Sequence, residues 1–392
     1  MPFIIVLTLI LAGCRESRAP SLSREDLFTV EYGRMEDQVE LFFGDGPIDR
    51  KTNIVMRDGL FRLASGYGSK IMEFTSFGDL ISLFYNAAVN PVPVLLQSQT
   101  DPERITNRQA FEFPFNVVGE IAVTPDGSLL VEDIVPARAA EFDGDLGVML
   151  NRIVVRFDAS GNQIDYLGQE GVGGTYLPYV HRIDTTEVGD IVVTTIAPPK
   201  TVVFWYSSDG TLLRRIDSAP PEYPVPADQP TVAVLESVHP DRVLRRLYAK
   251  FDYYVQSPGG GSGSESLSRI YWLDINDGVY GGFVDVPRNV SRDGSLGDRG
   301  NEAVYQYELI GTAPGERLFL LSQESETTSE LLILSSSGRV IRRRTLEIDY
   351  DEVVFRDLYI SDTGILTALL ASRESARVVW WRTDRLISRR QP

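Results

Sequence analysis

The chain is poor in the residues that most often carry chemistry. It holds one Cys and two His in 392 residues. A lone Cys excludes an intrachain disulfide and a Cys-rich zinc site, and two His (His181 and His239) exclude a multi-His metal centre. Lysine is scarce as well: Lys51, Lys70, Lys200 and Lys250 are the only four, so 34 of the 38 basic residues are Arg. Acids number 55 and the formal charge is −17. That surplus argues against a nucleic-acid surface, which needs local positive charge. No run of ~18 apolar residues occurs beyond the N-terminus, so no transmembrane helix is expected there. What is plentiful is apolar material, 43% against 24% charged, enough for a sizeable globular core.

The single Cys sits in an informative place. Phe3 to Leu11 is an uncharged apolar run of signal-peptide length, too short to span a bilayer. It ends in Leu11-Ala12-Gly13-Cys14, the pattern of a bacterial lipobox. The small residues Ala12 and Gly13 suit a peptidase cleft, and the thiol of Cys14 is the nucleophile that takes the lipid. The sequence thus predicts a signal peptide over 1–13, a lipidated tether over 14–27 and a folded domain over 28–392. The pattern departs from rule at one point, because no Lys or Arg precedes Arg15. The competing reading is a buried apolar N-terminal strand with an inert Cys.

Beyond the tether, short alternating runs separated by Gly, Asp, Asn and Pro predict many antiparallel strands. Pro136–Gly147 and Asp101–Glu112 are candidate short helical insertions. One element recurs: an apolar strand, a polar turn closed by Gly, then a second strand. It appears at Ile71–Ile81, Val154–Ile164, Val203–Leu213, Ile270–Tyr280 and Leu331–Ile341, with a degenerate sixth copy at Val378–Ile387. Second hairpins fall between copies, as at Ile183–Thr195, Leu309–Leu321 and Leu358–Leu370. Two hairpins per unit make a four-stranded blade. The expected fold is therefore all-β, a six-bladed β-propeller closed by an N-terminal strand. Gln38–Phe43 is the expected closing strand, paired near Val378–Ile387. Two unrelated β domains with similar turns are the competing reading.

The element Val154–Ile164, continuing to Tyr166-Leu167-Gly168, resembles NHL-type propeller repeats. Two longer stretches resemble a family of uncharacterised spirochaetal lipoproteins: Ile54–Phe61 through Lys70–Leu80, and Leu150–Phe157 through Leu167–Gly174. The resemblance implies an envelope lipoprotein with a propeller body. It supplies no catalytic residue.

Candidate chemistry is sparse. Gly168–Gly174 is Gly-rich, but it lacks the Gly-Lys-Ser/Thr of a P-loop and reads as a demanding turn between blades. It leads into Tyr176, Tyr179 and His181, an aromatic group that could line one end of a central channel. Asp274–Gly278 and Asp293–Asp298 cluster oxygen ligands but lack EF-hand spacing, and ordinary Asx turns explain them. No Gly-x-Ser-x-Gly elbow is present. Glu120, Glu132 and Asp133 fall on one predicted strand pair, a carboxylate grouping that 55 acids make unremarkable. Arg342–Arg344 and Arg389-Arg390 could contact lipid headgroups or an acidic partner, or could be solvated strand residues.

These observations predict a membrane-anchored envelope lipoprotein, on the periplasmic face of a membrane or exposed at the surface. Its propeller is expected to be a binding or scaffold module for a protein, peptide or glycan. No cofactor or metal is called for, and catalytic residues are not assigned. The alternative is a propeller hydrolase or lyase acting at the channel mouth with carboxylates or bound Ca²⁺. A purely structural role in envelope assembly is the third reading.

Overall fold

A computed structural model describes residues 19–41, 50–96, 108–226, 231–255, 265–290 and 304–388. Leu11, Ala12, Gly13 and Cys14 lie outside the described residues, as do Asp293–Asp298 and Arg389-Arg390.

Six antiparallel sheets follow one another along the chain. Each begins with an inner strand, and the inner strands neighbour one another around a ring. They are Thr52–Arg57, Val118–Val123, Tyr179–Thr185, Thr231–Pro240, Glu308–Ala313 and Phe355–Ile360. The next strands step outward in sequence order, so the protein is a six-bladed β-propeller.

The sequence dictates this in a simple way. Side chains alternate across a strand, and here both sheet faces meet a neighbouring blade. In blade 3, Ile191 and Val193 pack toward blade 2 while Val192 packs toward blade 4. Middle strands such as Ile191–Ala197 are therefore buried on both faces. Six apolar clusters fill the six gaps between blades, the one between blades 6 and 1 included.

The ring is closed by Arg24–Glu31, not by Gln38–Phe43. Arg24–Glu31 pairs antiparallel with Ser375–Trp381 as the fourth strand of blade 6. Gln38–Leu41 alternates polar and apolar residues, whereas Arg24–Glu31 opens with three charged residues in a row, so pattern alone favoured the wrong segment. What decides is the long-range ladder along Ser375–Trp381. Phe28 seats between blades 6 and 1, with its ring 5.8 Å from Phe61 and 5.2 Å from Phe74. Val39 is buried in the same cluster, but its pairing is an isolated bridge to Tyr32 and not a ladder with blade 6; Phe42 and Phe43 lie outside the described residues. The degenerate sixth repeat now has a cause: its fourth strand comes from the other end of the chain. After Trp381 the chain turns into a single helical turn, Asp384–Ile387.

The helical insertions are also corrected. Ala137–Ala139 is one 3-10 turn, followed by the hairpin Glu141–Asp143 and Val148–Leu150. Of Asp101–Glu112, residues 101–107 lie outside the described residues, and Gln109–Glu112 is a strand that adds parallel to Leu80–Tyr85. There the Phe111 ring stacks on Phe84 at 4.7 Å.

The strand order sorts the loops. Within a blade, first-to-second and third-to-fourth connections share one face of the ring; all other connections share the opposite face. The first, the turn face, carries the repeated glycines. Gly78, Gly161, Gly210, Gly278 and Gly338 all have φ between 71° and 90°, which favours Gly. The second, the loop face, is where the chain leaves the sheets for its longer connections, after Tyr85, Ile134, Ser218, Val255 and Asp285. The first three strands of blade 4 are ten residues each, so this blade rises past its neighbours on the loop face.

Candidate functional site

The inner strands carry charge where an apolar core would be expected. Arg182 and Asp184 lie in Tyr179–Thr185, His239 in Thr231–Pro240, and Asp357 and Tyr359 in Phe355–Ile360. The ring brings these to the central channel, because an inner strand has no further strand beside it.

The turn-face end is closed by Arg242. This guanidinium donates to three backbone carbonyls on three different blades: Thr185 at 2.9 Å, Thr312 at 3.1 Å and Ile360 at 3.1 Å. It also faces the Asp184 carboxylate at 4.0 Å. Arg242 is only 4% exposed, so it acts as a plug that ties blades 3, 5 and 6 together. Asp184 is bound more closely by Arg182, at 2.9 Å. Burial would raise its carboxyl pKa, but Arg182 and Arg242 outweigh that and hold it below the usual range.

The loop-face end opens into a cavity of about 350 Å³. Its walls come from the inner strands of blades 3 to 6: His181 and Arg182, Glu236 to His239, Glu308 to Ile310, and Arg356 with Leu358. Arg356 pairs with Glu308 at 3.4 Å. Glu236 lies 3.7 Å from the fully buried Lys250, and Ser237 donates to it at 2.7 Å. Burial pushes the Glu236 carboxyl up. His239 is held neutral: burial, with Arg182 adding to it, pushes its imidazole down to about 3.

Blades 1 to 3 meet in a second charged group beside the channel. Lys51 donates to Glu132 at 2.8 Å, lies 3.3 Å from Glu120, and also bonds the Val180 carbonyl. Its ammonium stands 4.5 Å from the centre of the Tyr179 ring, and the Arg152 guanidinium lies 5.5 Å from the same ring. Burial opposes the Lys51 charge, but Glu120 and Glu132 prevail and its pKa is raised. Glu132 lies on the second strand of its blade and reaches inward because Gly119 leaves room. A Cβ on Gly119 would stand 2.0 Å from the Glu132 carboxylate. Asp133 is occupied by the Asn116 and Val117 amides at 3.0 and 2.9 Å. Asp357 accepts from the Ile54 amide at 2.7 Å. Burial, with Glu120 adding to it, pushes Asp357 up to about 7.

The sequence-named residues therefore divide. Tyr179 and His181 stand at the channel, with His181 exposed in the cavity wall. Desolvation, with Lys51 and Arg182, lowers the His181 pKa. Tyr176 packs instead into the cluster between blades 2 and 3. Gly168–Gly174 folds on itself, with the Glu170 carboxylate bonding the Thr175 amide at 2.7 Å. Asp274 accepts from the Asn276 amide at 2.8 Å, an Asx turn. Among the described residues, no group of three His, Asp or Glu is arranged to hold a metal ion.

Lys51, Arg182, Asp184, Glu236, Arg242, Glu308, Arg356 and Asp357 were missed by sequence reasoning. The lysines offered a signal. In a chain that otherwise uses Arg, three of the four Lys (Lys51, Lys70 and Lys250) hold buried or nearly buried ammonium groups.

No family model and no curated protein matches this chain. Among solved structures it is similar to the Dos1 propeller, at 9% identity and a TM-score of 0.37, covering 84% of this chain and 78% of that one. It is similar to the β-propeller domain of the Trilobed protease from Pyrococcus furiosus, at 8% identity and 0.38, covering 84% and 95%. A luciferin-regenerating enzyme gives 8% and 0.37, covering 84% and 90%. The ring of six sheets, rather than these likenesses, defines the architecture.

Proposed function

We propose that this chain is an envelope lipoprotein, acylated at Cys14, whose propeller is a binding module with its ligand seat at the loop-face mouth. One observation carries the reading: the channel is plugged by Arg242 at the turn face and opens into a polar cavity on the face that gathers the long loops. Recognition residues concentrate on loops held by a rigid scaffold. The cavity wall offers carboxylates, guanidinium groups and a neutral imidazole, which suits a polar partner such as a peptide or a glycan. The lipobox pattern at Leu11–Cys14 supports the anchor. Among the described residues no helix is long and apolar enough to cross a membrane.

Two experiments test the two halves. Cys14→Ser should move the protein from the membrane to the soluble fraction; unchanged membrane association contradicts the anchor. Peptide and glycan arrays probed with purified protein should give hits that the Glu236→Gln/Arg356→Gln double variant loses by more than about tenfold, as expected when hydrogen bonds to charged groups are removed. Hits that the double variant keeps contradict the seat. A second reading is a hydrolase or lyase acting in the channel, beside that mouth rather than in its wall. It is favoured by Glu120 and Asp357, two carboxyls that burial pushes up, and it requires product release from a bound glycan or peptide that Asp357→Asn abolishes.

A further inference from the structure

The first described residues do not leave the body freely. Leu22 donates its amide to the Thr345 carbonyl at 2.9 Å, and the Thr345 amide donates to the Pro20 carbonyl at 3.2 Å. The Thr345 hydroxyl donates to the Ala19 carbonyl at 3.2 Å. Ser21 makes a parallel bridge to the same residue, and Leu22 packs into the apolar cluster between blades 5 and 6. The chain is therefore clasped from Ala19 onward against Val340–Glu347, the outermost strand of blade 5.

Cys14 precedes Ala19 by five residues. A fully extended chain covers at most about 3.5 Å per residue, so a lipid on Cys14 keeps this clasp within about 17 Å of its attachment point. That is close to twice the Debye length of about 8 Å at physiological salt, too short for the ring to swing freely. One rim must lie near the bilayer, and it is the rim of blades 5 and 6.

On that rim the outer strand of blade 5 carries three consecutive Arg, Arg342 to Arg344. Arg342 and Arg344 pair with Ile333 and Leu331, which face the gap toward blade 6. They therefore project on the side where the clasped segment runs. Their guanidinium groups donate only to the neighbouring carbonyls of Ile341 and Arg343, and neither has an acidic partner among the described residues. Arg343 points the other way and is bound by Glu330 at 2.6 Å. Two cations thus stand free of carboxylates beside the tether in a chain of net charge −17.

We infer that the propeller stands edge-on to its membrane, with the outer strand of blade 5 turned to anionic lipid headgroups through Arg342 and Arg344. The inference rests on acylation at Cys14. It places the channel axis roughly parallel to the bilayer, so the loop-face mouth opens sideways and stays accessible.

The test uses the acylated full chain reconstituted in vesicles containing phosphatidylglycerol and a headgroup-linked energy acceptor. Acylation occupies the native thiol, so a fluorophore can be placed through Val340→Cys on blade 5 or Ile164→Cys on blade 2, across the ring. Both positions are exposed. Transfer should be several-fold stronger from position 340. The preference should fall in Arg342→Gln/Arg344→Gln, and in vesicles of phosphatidylcholine alone, because each Arg near an anionic surface is worth about fivefold in attraction. Equal transfer from the two positions overturns the orientation. A preference unchanged by the Arg substitutions and by neutral lipid overturns the headgroup contact. Protein that fails to float with any vesicle contradicts the acylation, and the orientation with it.

Discussion

Arg242→Ala is the sharpest probe of how this ring is held. The side chain is buried, and its guanidinium makes three hydrogen bonds to carbonyls on three blades. Removing it leaves the Thr185, Thr312 and Ile360 carbonyls without that donor, and Asp184 with Arg182 as its remaining close cation. Breaking a buried charged contact of this kind typically costs about 3–5 kcal/mol. For a body of this size each kcal/mol moves the melting temperature by roughly 2 °C, so the variant should melt roughly 6–10 °C lower. Arg242→Lys keeps the charge without the planar fork and should recover only part of the loss. Arg215→Ala is the control: its ion pair with Asp217, at 2.8 Å, joins two side chains that are each more than a third exposed. It should cost less than about 1 kcal/mol. The assay is thermal unfolding followed by tryptophan fluorescence. If Arg242→Ala melts within a degree of the parent, the plug does not brace the ring and the reasoning fails.

Three further outcomes follow from the same geometry. Gly119→Ala forces a Cβ onto the Glu132 carboxylate; it should cost about 2–4 kcal/mol in urea unfolding, and a neutral result would mean that Glu132 does not need that space. Deleting residues 24–31 uncovers the edge of Ser375–Trp381 and should give aggregates on size exclusion; a monodisperse monomer would show that the strand does not close the ring. Asp357 has its pKa raised from 3.8 to about 7. Its stabilising share is therefore full below about pH 4 and lost as pH rises through 7. Asp357→Asn should gain on the parent between pH 5 and pH 8 in urea midpoints; a gap of constant size contradicts the buried, protonated carboxyl.

The fold was largely legible because its repeat is punctuated by glycines with a physical duty. A turn that needs positive φ marks itself in sequence, and five such turns marked five of the six blades. Closure was harder. Gln38–Leu41 shows the clearer alternation, and only the long-range ladder of Arg24–Glu31 along Ser375–Trp381 identifies the closing strand. Gln109–Glu112 looked helical because nothing local announces a parallel strand; the stacking of Phe111 on Phe84, a tertiary contact, decides it. The channel was least legible. Its charges come from inner strands that lie far apart in sequence, and single acids among 55 give no signal. Asp357 in Phe-Arg-Asp-Leu-Tyr and Asp184 in Val-His-Arg-Ile-Asp-Thr stand beside other charged residues, so neither is singled out by its strand.

The loop-face mouth is the proposed place where a partner is met. Photo-crosslinking in intact cells addresses this directly, with a photoreactive residue in place of His181 in the cavity wall or of Val188 on the turn face of the same blade. Both positions are exposed. The predicted result is a discrete adduct from position 181 that is missing from position 188 and is suppressed by Glu236→Gln/Arg356→Gln. An adduct from position 188 alone, or equal labelling from both, would contradict it.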